Sequence, residues 1–227
     1  MAGKTLFVIN PNSSETVTAG IDEAMEPLRP LGVPIKVLRL EEGPIGIESQ
    51  TQADQVIAPL LVKARALEAE AAGFVIACFG DPGLYALRDE TTRPVLGIQE
   101  AAVMTALTLG QRFGVIAILA NSVPRHLRAF GAMGVVDRLA GDLALGLTVA
   151  ELADRERTVV RMAEVGCELR DRHGANVLIM GCAGMALYRE RLEAETGLPV
   201  VEPCQAAAAM AVGRIQLGWS HAVEQGT

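Results

Sequence analysis

Phe74-Val75-Ile76-Ala77-Cys78-Phe79-Gly80 and Leu178-Ile179-Met180-Gly181-Cys182-Ala183-Gly184 are two versions of one pattern: a short apolar run ending in a cysteine and a small-residue turn. The two cysteines stand 182 − 78 = 104 residues apart. Close by, Arg93-Pro94-Val95-Leu96 with Gln99-Glu100-Ala101-Ala102 matches Leu198-Pro199-Val200-Val201 with Cys204-Gln205-Ala206-Ala207, at 199 − 94 = 105. Val8-Ile9-Asn10-Pro11-Asn12-Ser13 matches Ala117-Ile118-Leu119-Ala120-Asn121-Ser122, at 121 − 12 = 109. Three segments in one order at nearly one offset describe a chain of two similar halves. Apolar strands recur in any α/β chain, but matched Cys and Asn-Ser positions do not.

Working outward, short apolar runs alternate with longer helical patterns. Strands are expected at Leu6–Ile9, Ile35–Leu38, Phe74–Cys78, Pro94–Leu96, Gly114–Leu119, Val177–Met180 and Pro199–Val201. The longest helices are expected over Ala53–Ala72 and Val149–His173, with loops at Gly43–Gly46 and Gly141–Gly146. This alternation specifies an α/β fold of two pseudosymmetric parallel-sheet halves, helices on both faces, and a cleft between the halves. The expected division is 1–97 plus 205–227 for the first half and 98–204 for the second.

Half of the 227 residues are hydrophobic and 21% are charged, which excludes intrinsic disorder because such a chain buries enough apolar surface to fold. A net charge of −7 without any Lys/Arg run disfavours nucleic acid as a partner. No apolar stretch approaches a membrane span, and Met1-Ala2-Gly3-Lys4-Thr5 runs into a strand without a signal-peptide pattern, so a cytoplasmic protein is expected. The four cysteines form no CxxC pair and are expected as free thiols. The apolar helices leave room for a homo-oligomer.

In each half a cysteine ends an expected buried strand and precedes a turn into a helix, Gly80-Asp81-Pro82-Gly83 after Cys78 and Ala183-Gly184 after Cys182. Ligands of open α/β sheets bind outside strand carboxyl ends. A helix N-terminus favours a thiolate, so both thiols are expected below the ordinary pKa of about 8.5. Facing each other across a cleft, they make a two-base pair: one thiolate removes a proton from one face of a carbon while the opposite thiol protonates the other face. That chemistry requires no metal and no organic cofactor. Neither cysteine has a second ligand at zinc spacing, and no dinucleotide or P-loop fingerprint occurs. Backbone N–H groups of Gly80 and Gly184 are placed to stabilise an enolate. Asn10, Asn12 and Ser122, after the first strand of each half, offer neutral hydrogen bonds, which favours a small-molecule substrate with carbonyl and N–H edges. A two-lobed module that binds such a molecule without chemistry fits the same pattern. Alkylation near neutral pH, protected by substrate, would mark the enzyme.

Ile9-Asn10-Pro11-Asn12-Ser13-Ser14, Ala77-Cys78-Phe79-Gly80-Asp81-Pro82-Gly83-Leu84 and Gly181-Cys182-Ala183-Gly184-Met185 resemble the aspartate/glutamate/hydantoin racemase superfamily, most of all its hydantoin and allantoin racemase branch. The resemblance spans nearly the whole chain. It implies a cofactor-independent two-thiol racemase of 5-substituted hydantoins, allantoin or a related cyclic ureide, with Cys78 and Cys182 as the acid/base pair. It also implies a substrate pocket that includes Asn10, Phe79, Gly80, Ser122, Ala183 and Gly184. The amino-acid racemase branch carries an acidic start to its first loop and a Thr near each cysteine; Asn10, Phe79 and Ala183 stand here instead, which points away from free glutamate or aspartate. Asn121-Ser122-Val123-Pro124 replaces the Arg-Thr-Val-Pro turn common in hydantoin racemases. Amino-acid racemisation and decarboxylation of a substituted malonate are the alternatives on the same fold.

Other features read as structural. Cys167, inside a helical pattern, is expected to pack, and Cys204, opening the last helix after Glu202-Pro203, either packs or approaches the cleft. His126, His173 and His221 are expected on helix surfaces or ends. Asp81 is expected to cap the helix at Pro82 or to tune Cys78, and Asn12, Ser13 and Ser122 are candidate N-caps. Glu48 and Ser49 either touch substrate or start the helix near Thr51.

Overall fold

The computed structural model describes residues 4–221. Two four-stranded parallel sheets form the frame. The first contains β1 (Thr5–Asn10), β2 (Ile35–Arg39), β3 (Ala71–Ile76) and β4 (Val95–Gly97), in the order β2-β1-β3-β4. The second contains β5 (Phe113–Ala117), β6 (Leu139–Ala144), β7 (Val177–Met180) and β8 (Val200–Val201), in the order β6-β5-β7-β8. Adding four to each strand number turns one sheet into the other, which is the internal repeat in three dimensions. Strands β1 and β3 run Leu-Phe-Val-Ile and Ala-Ala-Gly-Phe-Val-Ile and are almost wholly buried, as parallel strands covered on both faces must be.

Helices α1 (Glu15–Ala24), α2 (Gln50–Gln55), α3 (Ile57–Leu67) and α4 (Leu84–Glu90) connect the first sheet. Helices α6 (Val123–Met133), α7 (Arg155–Asp171) and α8 (Arg189–Thr196) connect the second. The helix after each last strand, α5 (Ile98–Leu109) and α9 (Pro203–Leu217), lies at the seam. Helix α9 packs on β1, β3 and β4, α5 contacts β5, β7 and β8, and the two pack on each other. One apolar core runs through both halves, and a smaller one lies around Phe7, Phe74 and Leu60. Among the described residues no helix is long and apolar enough to cross a membrane.

Three local expectations are corrected. Gly141 to Ala144 belongs to β6, an edge strand paired in parallel with β5, and not to a loop; only Leu145 and Gly146 follow it. The expected helix Ala53–Ala72 is broken at Val56, stops at Leu67, and yields Ala71 and Ala72 to β3, where both are buried. The first helical turn after Val149 is a 3₁₀ turn, Glu151–Ala153, and α7 starts at Arg155 behind its N-cap Asp154.

Candidate active site

The carboxyl ends of β1, β3, β5 and β7 converge, because Asn12, Cys78, Ile118, Ser122, Gly181 and Cys182 share one small chamber. Ser14 shapes its first wall. Its Oγ accepts from Val17 N at 3.2 Å and caps α1. Behind that cap, Asn12 Oδ1 accepts from Ser14 N and from Asn10 Nδ2, both at 2.9 Å. Asn10 is fully buried and also donates to Thr18 Oγ1 at 3.0 Å, so it braces the wall while Asn12 faces the chamber.

Cys78 follows β3 in a loop of unusual backbone. Gly80 has φ 126°, Asp81 φ 48° and Gly83 φ 76°. Asp81 is the non-glycine residue in the left-handed region among the described residues, and its carboxylate holds it there. That carboxylate accepts from Gln99 N and Glu100 N, both at 2.9 Å, while Asp81 N donates to Cys78 O at 3.0 Å. Asp81 therefore caps α5, not the helix after Pro82, and ties the Cys78 loop to the seam. Burial pushes its pKa up to about 7 against those two hydrogen bonds.

Cys182 follows β7 and opens the 3₁₀ turn Ala183–Tyr188, and its Sγ accepts from Gly184 N at 3.3 Å. The Gly184 N–H, expected to face an enolate, is thus engaged by the thiol. Phe79, Ser122, Ala183 and Gly184 line the chamber with the two cysteines, while Gly80 lines the neighbouring cavity. The chamber itself is narrow, about 30 Å³. It shares Ile47, Cys78, Phe79 and Arg125 with a cavity of about 340 Å³, and Val149, Ala183 and Gly184 with a groove of about 660 Å³.

Arg125 was not read as a site residue. It lies on α6, lines the chamber, and donates to Ser122 Oγ at 3.2 Å, Asn121 O at 3.2 Å and Glu48 O at 3.4 Å. The expectation of purely neutral hydrogen-bonding groups is therefore corrected. Glu48 reaches across the halves, where Oε1 accepts from Val149 N at 2.8 Å; Arg128 donates to Gln50 Oε1 at 2.6 Å alongside. Ser49 starts α2 in a capping box with Gln52. His126, expected on a helix surface, is buried, its Nδ1 2.8 Å from Asp142 Oδ2 and its ring edge-on to Phe79. His221 Nε2 accepts from Val95 N at 2.7 Å, outside the chamber.

The expectation of lowered thiol pKa values is overturned. Burial raises Cys78 above the ordinary thiol range, the Cys182 and Asp81 charges push the same way, and Arg125 opposes them. Burial pushes Cys182 up to about 11, against the Gly184 N–H. The physical reason is geometric. Helix α4 begins only at Leu84, too far from Cys78 for its N-terminus to compensate desolvation, and Cys182 receives a single N–H. Near neutral pH both sulfurs are therefore thiols, and ionisation of Cys182 pushes Cys78 up further. Cys204 lies buried behind them, its pKa raised by burial and by Glu202, and Cys167 sits half-buried on α7.

Residues 6–211 match the model of the Asp/Glu/Hydantoin racemase family. The chain is 32% identical to a hydantoin racemase of Paenarthrobacter aurescens over 94% of its own length and 92% of the relative's. It is 31% identical to a hydantoin racemase of Rhizobium meliloti over 95% and 90%. Among solved structures it superposes on an allantoin racemase from Klebsiella pneumoniae with a TM-score of 0.90 at 28% identity, covering 98% of this chain and 92% of that one.

Proposed function

This chain belongs to the Asp/Glu/Hydantoin racemase family, and from that membership we propose that it racemises a 5-substituted hydantoin, allantoin or a related cyclic ureide by proton transfer between Cys78 and Cys182. The observation that carries the reading is the pair of cysteines, one at the carboxyl end of each half's central sheet, lining one chamber.

The chemistry follows from the surroundings. A desolvated thiolate is a stronger base than one in water, which suits removal of a proton from carbon. The mutual repulsion of two thiolates keeps the opposite sulfur protonated as the acid. Which cysteine is the base depends on the enantiomer bound, and the reverse reaction exchanges the roles. Asn12 and Ser122, which line the chamber, supply hydrogen bonds. The transfer as written uses no cofactor. The cavity beyond Cys78, walled by Ile47, Ala53, Ile57, Phe79 and Ala129, gives the ring substituent room. The contacts of Glu48 with Val149 and Arg125 bridge the two halves beside the chamber.

Arg125 favours a second reading, in which a carboxylate substrate is used and the reaction is amino-acid racemisation or malonate decarboxylation. A panel of single-enantiomer hydantoins, allantoin, amino acids and arylmalonates, followed by optical rotation, proton NMR in D2O and CO2 release, separates the readings. Loss of rotation with the ureides above the buffer rate supports the proposal. Activity confined to carboxylates transfers the assignment to the second reading, and inactivity throughout leaves a binding module.

A further inference from the structure

The two-thiol transfer gives no task to one titratable group in the chamber wall. His126, on α6, and Asp142, on β6, have side chains 1% exposed, with Nδ1 and Oδ2 2.8 Å apart. The imidazole stands edge-on to Phe79, centroids 4.9 Å apart, and is tilted on Phe130 at 6.2 Å, so it cannot turn without displacing both rings. A histidine kept for packing alone needs no buried carboxylate. Here, moreover, Asp142 Oδ1 has no partner among the described residues, a cost that an apolar pair would avoid. As a carboxylate, Asp142 only accepts, so it holds the ring hydrogen on Nδ1. The free ring nitrogen, Nε2, then belongs to a side chain that lines the chamber with Cys78, Cys182 and Arg125.

We propose that Asp142 and His126 form a substrate-positioning pair, with His126 Nε2 accepting a ring N–H of a cyclic ureide so that its reacting carbon lies between the two thiols. The identity of the ligand rests on the ureide reading above; the pair and its geometry do not. Asp142 acts through His126, by fixing which nitrogen carries the hydrogen.

The test uses the whole protein with ¹⁵N-labelled histidine, assigned with His126→Gln, and unsubstituted hydantoin as an achiral probe. The expected result is an Nδ1–H tautomer whose Nε2 resonance moves on addition of hydantoin. Methylation of one ring nitrogen of the probe, N1 or N3, should weaken binding at least tenfold. Asp142→Asn, which can donate to Nδ1 and shift the hydrogen to Nε2, should cause a similar loss and make the same N-methylation inconsequential. An Nε2 resonance unmoved at the solubility limit of hydantoin, or equal binding of hydantoin and both N-methyl forms, overturns the proposal. If Asp142→Asn does not fold, the N-methyl series on the parent protein decides alone. Racemisation of a chiral hydantoin is measured in parallel. Turnover with a silent Nε2 sinks the positioning pair only, and a responsive Nε2 without turnover sinks the racemase reading only.

Discussion

Adding a single methyl group at Gly97 should do more damage than its size suggests, and the damage should vanish when Asp81 is removed first. Gly97 has φ −91° and ψ 142°, which alanine adopts freely, so no backbone strain enters. A Cβ there would overlap the Asp81 Cγ and Oδ2 and come within 2.6 Å of Oδ1. The carboxylate must leave, and the N–H groups of Gln99 and Glu100 lose their acceptor. Two lost hydrogen bonds to a charged group and the crowding together should cost about 3–5 kcal/mol in Gly97→Ala. Asp81→Gly loses the same bonds but relieves a left-handed non-glycine residue, and should cost about 1–3 kcal/mol. In the Asp81→Gly background the three atoms nearest the added methyl are gone and it should cost less than about 0.5 kcal/mol, leaving a coupling of about 2.5–5 kcal/mol. Urea unfolding followed by circular dichroism on the four proteins closes the cycle. Because the Asp81 carboxylate ties the loop that carries Cys78 to α5, both single variants should lose turnover. Equal cost of Gly97→Ala in both backgrounds would refute the argument that Asp81 is the anchor of the Cys78 loop.

Two further outcomes follow from the buried acids. Asp81 and Glu202 are both held up to about 7, above their ordinary values of 3.8 and 4.5, so between about pH 4 and 7 the folded chain binds protons that the unfolded chain does not. Stability should therefore fall as pH rises through that window, by up to about 1.4 kcal/mol per pH unit for each group. His221, held below its ordinary value, works the other way, so the quantity to read is the difference between the parent and Asp81→Asn or Glu202→Gln; a flat or rising difference contradicts the reasoning. Iodoacetamide labelling of Cys182 should accelerate about tenfold per pH unit between roughly pH 7 and 10, with Cys78 slower throughout. A plateau near neutrality would show that the thiols are not desolvated.

What the sequence discloses, and what it withholds, depends on whether the cause is local. Seven of the eight strands announce themselves as short apolar runs, and β3 and β7 also by the matched Cys turns that follow them. Ala71-Ala72 reads as helix because alanine is a helix former, yet in the fold both residues are buried in β3. Strand β6 was hidden by Gly141 and Gly146, although the repeat marks its start: Leu139 lies 139 − 35 = 104 residues after Ile35, the first residue of β2. His126 had a signal too. It is four residues before buried Phe130, on the same face of α6. Arg125 and Asp81 had none, because Glu48 is 77 residues from the one and Gln99 is 18 from the other. Their roles exist only once the halves are assembled.

The central claim is that two thiols work from opposite faces, and isotope exchange with single-cysteine variants tests it most directly. Cys78→Ser and Cys182→Ser are each incubated in D2O with each enantiomer of a 5-substituted hydantoin, and the carbon-bound proton is followed by NMR alongside optical rotation, with the buffer rate subtracted. The account predicts that neither variant racemises, that each still exchanges the proton of one enantiomer only, and that the two variants choose opposite enantiomers. A variant that racemises like the parent, or one that exchanges both enantiomers equally, would contradict it.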